Sequence, residues 1–159
     1  MKQKELSVWL RAVLALVVIV VFFLAAVIVP ELARETRLLN PEYAAYFWPC
    51  LIFVWVTTLP VLAVVVIAWR IFTDIGRDMS FSLKNAKRLR VICYLFIADT
   101  VLYVAGTLVL SALAAMSPGL FLILLSVVFM GFLLSVAAAA LSHLTRKAAE
   151  LKAENELTI

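Results

Sequence analysis

Four stretches of this 159-residue chain are nearly free of charge and long enough to cross a lipid bilayer. Ala12–Val29 holds eighteen uncharged residues and Tyr43–Trp69 twenty-seven; Val91–Met116 holds twenty-six residues broken only by Asp99, and Leu120–Leu144 twenty-five with His143 near its end. About 20 residues rising roughly 1.5 Å each span a hydrocarbon core of about 30 Å. Membrane strands would instead be segments of about ten residues with alternating polarity, and these runs are continuous. A chain that is 66% hydrophobic and 15% charged has too few polar groups to cover such surface as a soluble globule. The expected fold is all-α: one integral membrane four-helix bundle, with spans at about 9–29, 44–69, 91–116 and 120–144 and a helical tail over 145–159. The first run is read as a retained anchor, because it exceeds the roughly 7–15 apolar residues of a signal peptide and runs into Pro30 with no small-residue cleavage site.

Lysine and arginine are distributed very unevenly around these spans. Lys2, Lys4 and Arg11 precede the first, six cations lie between Arg70 and Arg90, and Arg146, Lys147 and Lys152 follow the fourth, while the other side carries only Arg34 and Arg37. By the positive-inside rule both termini are cytoplasmic. Trp9, Trp69 and Tyr94 then mark the inner interface, and Tyr43, Tyr46 and Trp48 the outer one. This topology also accounts for the basic stretch KNAKRLR, so direct nucleic-acid binding is not expected; attraction to anionic inner-leaflet lipid is. Cys50 and Cys93 fall near opposite ends of their spans, too far apart for a disulfide. With a single histidine, His143, no metal or cofactor constellation is expected.

Between the spans, Pro30 is expected to open a short interfacial helix that Asn40-Pro41 ends. Pro49 and Pro60 should each disturb the second span by removing a donor and crowding the carbonyls of Ala45 and Val56. Gly76 is placed to end that helix, and Ser82 to cap one running through LKNAKRLR into the third span. Ser117–Gly119 reads as a tight turn, and the tail, with Arg146 four residues before Glu150 and Lys152 four before Glu156, as an extension of the last helix.

The four spans at these spacings, the loop FSLKNAKRLR (Phe81 to Arg90) and the ending LKAENELTI (Leu151 to Ile159) resemble the YoaS-like family of uncharacterised small bacterial membrane proteins. The resemblance implies a bacterial cytoplasmic membrane and, because such proteins are often encoded beside a small Cro/CI-type helix-turn-helix regulator, offers that regulator as a candidate partner. It implies no catalytic residues. Relatives tend to carry an acidic residue where Lys84 stands, which leaves the capping at that position open.

One charged residue lies deep in a span. Asp99 is nine residues beyond Arg90, about 13 Å along a helix. Counted from the same end, Thr58 and Ser135 lie about 16 Å deep, and Tyr103 is one turn from Asp99 on the same face. These four are expected to form one polar layer, with Asp99 as the neutral acid, that fixes helix register, carries a proton, or meets an oligomer mate. Gly131, Ser135 and Ala139 form a small-residue stripe expected to pack on the first or third span rather than on a second copy.

Paired acids, Ser/His sets and metal ligands are lacking, so enzymatic activity is not expected. The leading expectation is an interaction or anchor protein that holds a cytoplasmic partner through Lys84, Lys87, Arg88, Arg90, Glu150 and Glu154. The alternative is an oligomeric proton-coupled transporter using Asp99.

Overall fold

The structure is a computed structural model that describes residues 3–113 and 115–157. Helix α1 (Gln3–Phe23) passes through a single π turn (Leu24–Ile28) into α2 (Val29–Leu39) without a break. A 3-10 segment (Pro41–Tyr46) leads into α3 (Phe47–Gly76), followed by α4 (Leu83–Ala112) and α5 (Pro118–Leu157). Joined in this way they make four helices, each long and apolar enough to cross a membrane. The last two residues of the expected tail lie outside the described residues, as does the Glu156 side chain on which the Lys152–Glu156 pair depends.

Proline decides the helix boundaries, though not always where the sequence alone puts them. Pro30 has no N–H to offer the Ala26 carbonyl and would crowd it. The turn before it widens, the Val29 N–H bonds to the Leu24 carbonyl, and the helix continues to Leu39. The expected separate interfacial helix is therefore an extension of the first span. Pro49 costs nothing, because α3 begins at Phe47 and places it in the first turn, where amides lack intrahelical partners anyway. Pro60 lies inside a helix that remains continuous. Ser117–Gly119 is a helix start rather than a turn: the Ser117 hydroxyl accepts from the Leu120 N–H at 3.2 Å, and Pro118 occupies the first helical position.

The helices pack in chain order as an open row. Helix α1 touches α3, α3 touches α4 and α4 touches α5; among the described residues no Cα of α5 comes within 8 Å of α1 or α3, nor of α4 within 8 Å of α1. Each of the three seams has a glycine that admits a neighbouring side chain. A methyl group on Gly76 would lie 2.8 Å from Ser7 Oγ, one on Gly106 would lie 2.7 Å from the Phe53 ring, and one on Gly131 would collide with the Thr100 hydroxyl. Between apolar helices in lipid, where burial of apolar surface does not drive association, close backbone approach and hydrogen bonds do. Each seam has the bonds as well. Ser7 Oγ donates to the Phe72 carbonyl at 2.6 Å and Trp55 Nε1 to the Ala25 carbonyl at 3.0 Å; Tyr103 pairs with Thr57 at 3.1 Å; and Ser142 Oγ donates to the Ala86 carbonyl at 2.8 Å. The small-residue stripe on α5 faces α4, the third span, over part of its length: Gly131 receives Thr100 and Ser135 is buried, but Ala139 is exposed and its neighbour Ala138 is the residue that joins Ile71, Ile92 and Cys93 in the buried core.

Candidate functional site

The α3–α4 hairpin carries a connected set of polar contacts, and its geometry begins at the end of α3. The Asp78 N–H bonds to the Ile75 carbonyl at 3.2 Å and the Met79 N–H to the Asp74 carbonyl at 3.0 Å, which together form a Schellman C-cap. The residue with left-handed backbone in this motif is Asp78, at φ 65°. Gly76 is the last residue of α3, as expected, and it also makes room for Ser7. Ser82 caps α4 as expected, accepting the Asn85 N–H at 3.2 Å.

Asn85 is fully buried at the centre of the hairpin. Its Nδ2 donates to the Met79 carbonyl at 3.1 Å and the Ser80 carbonyl at 3.4 Å, while its Oδ1 accepts from Arg88 Nη1 at 2.9 Å. The same Arg88 nitrogen meets Asp74 Oδ2 at 2.5 Å. One chain of contacts thus joins the end of α3, the connecting loop and the first turns of α4. Arg88 therefore leaves the expected partner-facing set: its side chain is only 18% exposed and is held by Asp74 and Asn85. Lys84, Lys87 and Arg90 are exposed on the outside of the same helix. On α5, Glu150 and Glu154 are exposed, and Glu150 accepts from Arg146 Nε at 2.8 Å, the spacing-four pair the sequence predicts. That contact also raises the Arg146 pKa above its usual value. Neither Asn85 nor Asp74 was expected in a site. The signal that could have found them is an amide and a guanidinium three residues apart just after a cap, with an acid just before the loop.

Within the membrane-spanning part, the structure does not assemble the four expected polar residues. Tyr103 meets Thr57, not Thr58, and lies edge-on to Phe53 with ring centroids 5.5 Å apart. Thr57 Oγ1 is also 3.0 Å from the Val54 carbonyl, and one hydroxyl proton serves only one acceptor. With Thr57 donating to that carbonyl, the Tyr103 hydroxyl donates to Thr57. Thr58 and Ser135 spend their hydroxyls within their own helices, on the carbonyls of Val54 at 2.8 Å and Phe132 at 2.7 Å. Asp99 Oδ1 is buried and has no hydrogen-bond partner among the described residues.

Four membrane-length helices, closed by polar seams and capped at one end by a locked basic hairpin, define a multi-pass helical membrane protein. Residues 31–159 match the family described as "Protein of unknown function (DUF2975)", and the chain belongs to that family. It is 28% identical over 155 residues to the "Uncharacterized membrane protein YoaS" of Bacillus subtilis (strain 168), an alignment that covers 96% of this chain and 97% of the relative. No solved structure matches it.

Proposed function

We propose that this chain is a non-enzymatic membrane module whose basic end lies in the cytoplasm and holds a soluble partner. One observation carries the reading: α5 continues as an unbroken helix from Leu144 to Leu157, about 20 Å beyond its last membrane-type stretch. Helix this far past the bilayer does nothing for membrane insertion, yet it leaves Leu151 61% exposed among charged residues. Beside it, the Asp74–Arg88–Asn85 contacts tie the hairpin together and leave Lys84 and Lys87 exposed on its outside. The cytoplasmic assignment rests on the excess of cations at this end, and the resemblance to YoaS-like proteins supplies the partner class, a small helix-turn-helix regulator. The test is co-purification from cells in mild detergent with and without residues Arg146–Ile159. A regulator retained only by the full-length chain supports the reading. If no regulator is retained, and its target genes respond identically to both chains, the reading is wrong.

A second reading, an oligomeric proton-coupled transporter, is favoured by the buried, unpartnered Asp99 carboxyl oxygen. Because no Cα of α5 lies within 8 Å of α1 among the described residues, a second copy would have to complete any pathway between those two helices. Flux driven by a pH gradient in vesicles, present in the wild type and absent in Asp99→Asn, would select it; an anchor gives no flux in either.

A further inference from the structure

At the basic end, α4 and α5 leave between them a groove of about 210 Å³ that the seams do not fill. Arg90 and Tyr94 line it from α4, and His143 and Arg146 from α5, over a floor that includes Ala139 and Ser142. The floor is already satisfied, since Ser142 Oγ donates to the Ala86 carbonyl. The walls are not. Arg90 makes no hydrogen bond or ion pair among the described residues, and Arg146 uses only Nε, on Glu150, leaving both Nη groups unused. A neutral histidine still carries one N–H, and a tyrosine hydroxyl can donate. Donors from two helices therefore converge on one small volume, with the Glu150 carboxylate held on Arg146 Nε.

The position of the groove along the helices narrows the ligand. Arg90 is the last charged residue before the apolar run of α4, and His143 and Arg146 bracket Leu144, the last residue of the apolar run of α5. Above the groove both stripes become wholly apolar. On α4 the Arg90–Tyr94 spacing continues to Ile97 and Val101, and on α5 the Arg146–His143–Ala139 stripe continues to Val136 and Phe132. These four apolar residues are between 45% and 61% exposed. A surface that is cationic at one end and apolar for several turns above it matches an amphiphile with an anionic head, not a freely soluble ion. Basic pockets between spans at the cytoplasmic surface bind phosphate head groups in this way.

We propose that this groove binds the phosphodiester of an anionic phospholipid, with Arg90 and Arg146 holding the phosphate, Tyr94 and His143 donating at its edge, and the acyl chains lying along Ile97, Val101, Phe132 and Val136. Arg90 then faces lipid rather than a protein partner, and the site exists whether or not the partner reading is correct.

The experiment reconstitutes the full chain in bilayers of equal phosphatidylglycerol and phosphatidylcholine, and mass spectrometry measures the lipids it retains after detergent exchange. The wild type should retain phosphatidylglycerol in preference to phosphatidylcholine. Arg90→Gln with Arg146→Gln should lower that preference about fivefold per arginine. The charge-preserving pair Arg90→Lys with Arg146→Lys should keep most of it. Arg70→Gln with Arg77→Gln removes as much charge from exposed sites of the same end and should change it less than twofold. Three results overturn the proposal: undiminished preference in the glutamine pair, an equal loss in the Arg70/Arg77 pair, which would mean diffuse surface attraction, or displacement of the lipid by excess inorganic phosphate, which would mean a site for the free ion.

Discussion

Replacing Asn85 tests whether the hairpin is held by the contacts described. Asn85→Ala removes the acceptor of a guanidinium and the donor to two loop carbonyls in one step. A hydrogen bond to a charged group is worth about 1.5–3 kcal/mol and a neutral one about 0.5–1.5 kcal/mol. The Met79 and Ser80 carbonyls belong to a loop that water can reach, so together they count as about one neutral bond. The expected loss is therefore about 2–4 kcal/mol. Asn85→Asp keeps an acceptor for Arg88 but loses both donors, so it should fall between the wild type and Asn85→Ala. Reversible unfolding of the purified protein in mixed micelles, titrated with a denaturing detergent and followed by tryptophan fluorescence, gives these differences. A cycle with Asp74→Asn should show coupling of about 0.5–3 kcal/mol, because both residues act on one Arg88 nitrogen. If Asn85→Ala changes stability by less than about 0.5 kcal/mol, within the range of an ordinary surface substitution, the hairpin is held by something else.

The glycines should divide by environment: Gly131→Ala drives a methyl into Thr100 and should cost about 1–3 kcal/mol, whereas Gly119→Ala, with nothing within 4 Å, should be neutral or gain up to about 1 kcal/mol in the same titration. Asp78→Gly should raise stability by about 0.5 kcal/mol and Asp78→Val should lower it by about 1–2 kcal/mol, because φ is 65° there; equal midpoints for the two would contradict a left-handed C-cap. Asp99→Leu should stabilise the monomer by about 1–3 kcal/mol, since it removes a buried oxygen without a partner; destabilisation that appears only in the oligomeric fraction would mean that a second copy supplies the partner.

The spans were legible because a bilayer demands the same thing of every residue in a run, so an uninterrupted stretch such as Tyr43–Trp69 needs no knowledge of its neighbours. The polar layer was less legible because counting residues inward gives depth along a helix but not direction around it. Thr57 and Thr58 differ in depth by only about 1.5 Å, yet successive residues point about 100° apart, and Thr57 is the one that reaches Tyr103. Arg88 was misread for a related reason. Within KNAKRLR all four cations look equally solvated, and what sets Arg88 apart is Asp74, fourteen residues earlier, brought beside it only once the Schellman turn reverses the chain. The continuation of the first helix through Pro30 was hidden because a π turn leaves no compositional trace.

The open row and the polar seams have a common cause. In water, four amphipathic helices close around a core because closure removes apolar surface from solvent; in lipid that gain vanishes, and a helix joins its neighbour only where shape and hydrogen bonds make the contact better than acyl chains. Here the shape comes from Gly76, Gly106 and Gly131, one on each of α3, α4 and α5, each receiving a side chain from the preceding helix in the row. The bonds come from Ser7, Trp55, Tyr103 and Ser142, which sit on those same three seams. Among the described residues no such pairing joins α1 to α5, and nothing in lipid would draw them together without it. The outer faces of the row, including exposed Ile19 and Phe22 on α1 and Ile123 and Met130 on α5, therefore remain available to acyl chains. The groove at the basic end lies where such a face meets the last arginines of α4 and α5, the position at which a bound lipid would place its charge.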